Sequence, residues 1–279
     1  MKKIFLLIAM AGALMLAVSC SSDDEPKRGD GVFTVNTSMV NHMYNTVTGE
    51  VMGLGRAYNK LVLDTVKHTA SLELGYNDGS AEPMKLSDLT ATAKRLGFYE
   101  LRSPSNSQFS GYVDFNESAM RYIYTTPGGV RVISTIGDIF FLKTNNSIAY
   151  DDTTQSTQME NVMYQFTVNP GMDNAIVKVM DIVHAKDLKS FRTITSMNVP
   201  YTLTPNGFKF SGENLATTAQ YVATIDSTFT RYRTTTDYPF ITFDADVDLV
   251  NDHLDAVFMM GPSATVTATG RTYPDYTAY

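Results

Sequence analysis

The 279-residue chain contains one cysteine, no tryptophan and four histidines. A single cysteine cannot build a disulfide framework, so burial alone must hold the fold together. The histidines, His42, His68, His184 and His253, stand singly, with no HExxH pair and no second cysteine, which argues against a dedicated zinc centre. Neither a G-x-S-x-G elbow nor a phosphate-binding loop is present, and "GLGRAY" at 53–58 lacks the third glycine of a dinucleotide fingerprint. No cofactor is expected from this inventory. Basic runs are missing too: 22 Lys and Arg stand against 29 Asp and Glu, a net charge of -7, which disfavours nucleic acid as a partner.

The one cysteine has a telling place. Lys2 and Lys3 precede an apolar run from Ile4 to Val18, shorter than the roughly 20 residues that cross a bilayer, which is the pattern of a secretory signal. Leu16-Ala17-Val18-Ser19-Cys20 then resembles the lipobox of bacterial lipoproteins, and Asp23, Asp24 and Glu25 resemble the acidic export tag of surface lipoproteins in Bacteroidetes-type bacteria. The resemblance implies that residues 1–19 are a removable signal and that Cys20 carries the lipid, palmitate included. It further implies that 20–31 form an acidic tether and that the protein sits in the outer membrane, facing the cell exterior. Removing the signal leaves 20 basic and 29 acidic residues, a net charge of about -9.

Beyond Gly31 the chain is rich in Thr, Tyr, Phe and Val, with apolar residues at every second position in short runs broken by Asn, Gly, Asp and Pro. This is the pattern of antiparallel sheet. The clearest strand lies in 240–250, where Ile241, Phe243, Ala245, Val247 and Leu249 face one way and Thr242, Asp244, Asp246 and Asp248 the other. Asn251-Asp252 offers a two-residue turn, which makes 240–260 a hairpin. Further strands are expected at 59–65, 70–76, 121–126, 130–135, 138–143, 174–184, 191–203, 208–211 and 264–269. The turns "TPGGV", "TPNGF" and "MGPSA" stand among them. Helical spacing of Leu89, Ala93 and Leu96 predicts a short helix over 87–96, and 38–52 reads as a second, weaker one.

Four pairs of words recur in the same order: "FTVN" at 33 and 166, "NKLVLD" at 59 with "NAIVKV" at 174, and two longer pairs beginning at 89 and 199 and at 112 and 221. They suggest a tandem duplication. The expected architecture is therefore all-β, with room for one short helix per half: two tandem antiparallel β-sandwich or calycin-like barrel domains at 32–150 and 161–279, joined by a polar linker at 151–160. The duplication conflicts with the helix at 87–96, because its counterpart holds Pro200 and a Pro205-Asn206-Gly207 turn.

Candidate chemistry is sparse. Residues 244–255 place acids at positions one, three, five, nine and twelve of a calcium loop, which makes Asp244, Asp246 and Asp248 the candidate metal ligands. Position six is Leu249, where the sharp turn needs glycine, and a solvated strand face accounts for the same three acids. Thr65, Thr153 and Ser227 sit in Asp-Ser/Thr-x triplets that resemble the O-glycosylation site of exported Bacteroidetes-type proteins. With 16 Tyr and 15 Phe, exposed tyrosines could form a platform for a glycan or another protein, although missing tryptophan counts against a specialised glycan binder. The chain resembles the β-rich surface lipoproteins of Bacteroidetes-type bacteria. A non-enzymatic binding or interaction module is expected, with a fimbrial-type structural subunit and a surface glycan hydrolase as alternatives.

Overall fold

The computed structural model describes residues 16–17, 31–76, 82–116, 118–141, 143–151, 156–225 and 230–271. Among them there is no helix. A two-residue bridge, β1 (Leu16–Ala17), lies against Val35 and Thr34, within the segment expected to be removed on export. The first body is a meander of β2 (Val32–Asn45), β3 (Glu50–Asp64), β4 (Thr69–Tyr76), β5 (Met84–Arg95), β6 (Phe98–Arg102), β7 (Ser110–Asp114), β8 (Ala119–Thr125) and β9 (Val130–Thr135). Each strand pairs antiparallel with the next, and residues 40–45 of β2 also pair with 130–135 of β9. The sheet is thereby a closed eight-stranded barrel without an open edge.

Period-two alternation sorts the side chains: Val35, Met39, Leu61, Leu72, Leu101, Phe109 and Tyr122 are buried and fill the barrel. Polar residues share that interior, among them Asn59, whose Nδ2 donates to the Val35 carbonyl, and a row of three. Asn41 pairs with Ser134, and Ser134 with Tyr122, so the three form one row across β2, β9 and β8. Asn41 Oδ1, Ser134 Oγ and the Tyr122 hydroxyl are buried without a hydrogen-bond partner. Burial alone pushes the Tyr122 hydroxyl well above its usual pKa. Opposite Tyr122, Gly111 leaves the room its ring occupies: a Cβ there would stand 2.6 Å from Tyr122 Cδ1.

The chain leaves the barrel at Ile136-Gly137 and enters a second sheet. Its strands are β10 (Asp138–Phe141), β11 (Lys143–Tyr150), β12 (Ser156–Glu160), β13 (Met163–Thr167), β14 (Asn174–His184), β15 (Lys189–Thr204), β16 (Gly207–Leu215), β17 (Thr218–Ile225), β18 (Thr230–Thr235), β19 (Phe240–Asp248), β20 (His253–Met260) and β21 (Ala264–Arg271). The main path runs β10-β13-β14-β15-β16-β19-β20-β21-β11-β12. Strand β15 pairs with β14 and also serves two further partners, β17 through residues 191–195 and β16 through 201–204. This sheet curls into a half-barrel around Phe166, Phe191, Phe210, Phe240, Phe243 and Phe258, all fully buried.

The all-β expectation and its two antiparallel bodies hold, with three corrections. Residues 87–96, expected as a helix, lie in β5 as far as Arg95 and then in its turn: Leu89 and Ala91 point into the barrel at 1% exposure while Thr90 and Thr92 face solvent. Residues 38–52 likewise form the β2–β3 hairpin. The two sheets divide at 136–137 rather than at 151–160, and Ser156–Glu160 is an edge strand, not linker. The four recurring word pairs fall on three matching hairpins, β2–β3 with β13–β14, β5–β6 with β15–β16, and β7–β8 with β17–β18. Beyond the hairpins the wiring differs, because β6 pairs β7 whereas β16 pairs β19 and β17 pairs β15.

Four hairpin loops of four residues share one device. The polar residue that ends the first strand turns its side chain onto the loop's own amides: Asn45 accepts from Val47 and Thr48, Asp64 from Val66 and Lys67, and Asp248 from Val250 and Asn251. At 185–188 the head is a histidine, His184, whose Nδ1 accepts from the Asp187 amide. The 249–252 loop therefore replaces the expected two-residue turn at Asn251-Asp252.

Candidate binding site at the junction of the two bodies

On β2, β8 and β9, residues between the inward ones face the second body. Ile133 is 1% exposed and belongs to the core of the half-barrel, and Ile123 and Leu54 pack against that core. Polar contacts ring this apolar seam. Arg131 Nη2 donates to the Pro205 carbonyl at 2.8 Å and to Asn206 Oδ1 at 2.7 Å, and its guanidinium lies 5.1 Å from the Tyr44 ring centre. Arg121 Nη2 meets Asp252 Oδ1 at 2.8 Å while its guanidinium covers the Tyr112 ring. The turn Pro205-Asn206 is thus held against the barrel wall from one side, and Asn206 Nδ2 donates to Asp248 Oδ2 on the other.

Beside this clasp the two bodies enclose an open cleft of about 240 Å³, lined by Leu54 from the barrel and by Gly171, Met172, Asp173, Tyr201 and Leu203 from the half-barrel. The Tyr201 hydroxyl donates to the Met172 carbonyl at 2.7 Å, and its ring leans on Phe208 and Phe210. Burial, followed by the nearby Asp173 charge, raises the Tyr201 pKa, so the phenol stays protonated. The cleft presents one aromatic ring, Tyr201, among aliphatic side chains, with one carboxylate at its rim, a composition that suits a binding surface. A second, enclosed void, lined by Val113, Phe115, Ala119, Met120 and Ile136, measures about 10 Å³ and has room for one water at most.

The residues singled out in the sequence lie elsewhere. Asp244, Asp246 and Asp248 do alternate on the outer face of β19, about 7 Å apart from one to the next. Each has its own neighbour: Asp244 accepts from Ser211 Oγ at 2.7 Å, Asp246 stands opposite Asp255, and Asp248 organises its loop. Among the described residues no group of three or more His, Cys, Asp or Glu side chains is arranged to hold a metal ion. Thr65 is buried, and its hydroxyl both donates to the Gly31 carbonyl and accepts from the Gly31 amide, leaving no free oxygen for a sugar. Cys20, Asp23, Asp24, Glu25, Thr153 and Ser227, with the tyrosines of 273–279, lie outside the described residues.

One partly buried network has the parts of an acid–base site without the poise of one. Lys189 Nζ donates to the Tyr238 hydroxyl at 2.7 Å, which donates to Asp187 Oδ2 at 2.5 Å, while His184 lies edge-on to Tyr150 and Tyr238. Burial lowers the His184 pKa; burial and the bond to Asp187 raise that of Tyr238; the Tyr238 bond raises that of Lys189. Each group is thereby held in its resting protonation state near neutral pH, the opposite of what proton transfer requires. Sequence reasoning did not find Leu54 and Tyr201, because the cleft joins strands far apart in the chain and neither residue breaks its strand's pattern.

No protein-family model, no curated protein sequence and no solved structure matches this chain.

Proposed function

We propose that the chain is a lipid-anchored protein of the bacterial outer membrane, exposed at the cell surface, that acts by binding rather than by catalysis. The observation that carries this reading is the junction cleft, whose one tyrosine ring, aliphatic neighbours and single rim carboxylate suit the apolar face and hydroxyl edge of a sugar-sized molecule. The carboxylates also speak for it. Asp64, Asp88, Glu100 and Asp248 all have lowered pKa values: loop amides act on Asp64, and Ser105 on Asp88. Lys and Arg bonds to Glu100, and Asn bonds to Asp248, outweigh the partial burial that would raise them. None of these four is the raised carboxyl that a glycan hydrolase needs as its general acid.

A polymerising surface subunit is the second reading, favoured by β18, which among the described residues pairs only with β17 and exposes Tyr232 at its rim. Thermal unfolding of the chain beginning at Ser21, with and without neutral mono- and disaccharides or calcium chloride, separates the two. Binding to the native state at a hundredfold Kd is worth about 2.7 kcal/mol, or a midpoint rise of about 5 °C or more. At least one sugar should produce it in the wild type and none in Tyr201→Ala. No shift with any probe, together with self-association that grows with concentration, would reverse the choice. A shift with calcium alone would return Asp244, Asp246 and Asp248 as ligands.

A further inference from the structure

We propose that His42 is a proton-operated latch between the barrel and the half-barrel, and thereby of the cleft beside it. This rests on the cleft reading for its consequence, not for its geometry. His42 faces outward from β2, is 2% exposed, and pairs across the sheet with Leu54, the barrel's contribution to the cleft. Its ring meets Phe208 edge-on at 5.6 Å, against the turn that Arg131 clasps. Both ring nitrogens are buried and neither makes a hydrogen bond of ordinary geometry. Such a site holds a neutral imidazole at the cost of its polar atoms, and a second proton would be buried with only the Thr204 and Gly207 backbone near it, neither at ordinary hydrogen-bond geometry.

The charges around the ring act in the same sense. On the barrel side Arg131 of β9 approaches it and Arg56 of β3 lies one pair beyond Leu54 on the same face; both are cationic. On the half-barrel side the acids are spoken for, Asp248 by Asn206 and the loop amides, and Asp252 by Arg121. Burial lowers the His42 pKa most; the Thr204 backbone opposes it, the Arg131 charge adds a lesser lowering, and the backbone of His42 and Gly207 opposes more weakly, which leaves the balance below the ordinary value. The closed junction therefore binds fewer protons than the open one, in which the ring is solvated. Its stability is complete above the ordinary histidine pKa of about 6.5 and falls as the pH drops below that value toward the lowered one. Protonation drives the turn at Pro205-Asn206 away from the wall and takes Tyr201 and Leu203 from Leu54.

Hydrogen exchange of the chain beginning at Ser21, corrected for intrinsic rates and without ligand, tests this at pH 7.5 and pH 5.5. Protection at 204–208 and 131–135 should fall several-fold on acidification in the wild type and hold in His42→Gln. His184→Gln removes the other buried histidine and should leave the fall intact. Unchanged protection in the wild type, an equal fall in His42→Gln, or loss of the response in His184→Gln overturns the latch. Should His42→Gln not fold, the wild type and His184→Gln still decide. Because no ligand is added, failure of the cleft to bind a sugar leaves this result readable.

Discussion

Phe258→Ala should destabilise the protein by about 3–5 kcal/mol, read as a lower urea midpoint at unchanged slope. Phe258 is fully buried on β20, the strand between β19 and β21, and its ring meets Tyr164, Phe240 and Phe243 at 6.3, 5.1 and 5.6 Å between centres. Truncation removes the transfer term of a whole ring and leaves a cavity walled by other aromatic rings, which have few rotamers with which to close it. The half-barrel has no disulfide to fall back on, since the chain's one cysteine is Cys20. A loss below about 1 kcal/mol would mean that the aromatic cluster is far more plastic than its packing indicates.

Gly207→Ala should cost roughly 3 kcal/mol, and for a different reason. A Cβ at position 207 would lie 2.2 Å from the Val247 carbonyl oxygen and 3.3 Å from the Leu249 amide nitrogen. Both are backbone atoms of the neighbouring strand and loop, so no side chain can swing aside. The strand must shift, and with it the Asn206 carbonyl that accepts from the Leu249 amide and the turn that Arg131 holds. The loss should therefore appear twice, as a lower melting midpoint and as faster exchange at 131–135 across the junction. Phe258→Ala, whose ring lies within the half-barrel, should show only the first.

The strands were legible where one face is wet. In 240–250 the acids and the apolar residues alternate, and β19 follows that pattern from Thr242 to Asp248, while a bulge at Phe240/Thr242 buries Phe240 in place of the expected Ile241. Legibility failed where burial has two sides or none. Along 38–45 the barrel takes Met39 and Asn41 while the half-barrel takes Val40 and His42, so both faces are buried, and a register shift at Met43/Tyr44 scrambles what alternation remains. In β5 the inward positions include Ala91, whose small side chain carries little pattern, and Leu89, Ala93 and Leu96 mimic a helical stripe. Ser156–Glu160 read as linker because an edge strand at the rim of a sheet keeps polar residues on both sides.

The site was less legible than the fold. Asp248 announced itself as a metal ligand, yet its oxygens serve the amides of Val250 and Asn251, the role that Asn45 and Asp64 fill in their own loops. An Asx residue at a strand end ahead of a four-residue loop is a turn signal before it is anything else. The junction offered no comparable signal. Leu54, His42 and Tyr201 acquire their meaning from the docking of β15 and its turn on the barrel wall, which no local pattern encodes.

The most direct test of the account is a crystal of the chain beginning at Ser21 soaked with a mixed set of small neutral polyols and aromatic fragments. The account predicts density against Tyr201, between Leu54 and Leu203, for several unrelated fragments. Fragments that gather instead between two carboxylates elsewhere on the surface, with the Tyr201 cleft bare in every soak, would contradict it.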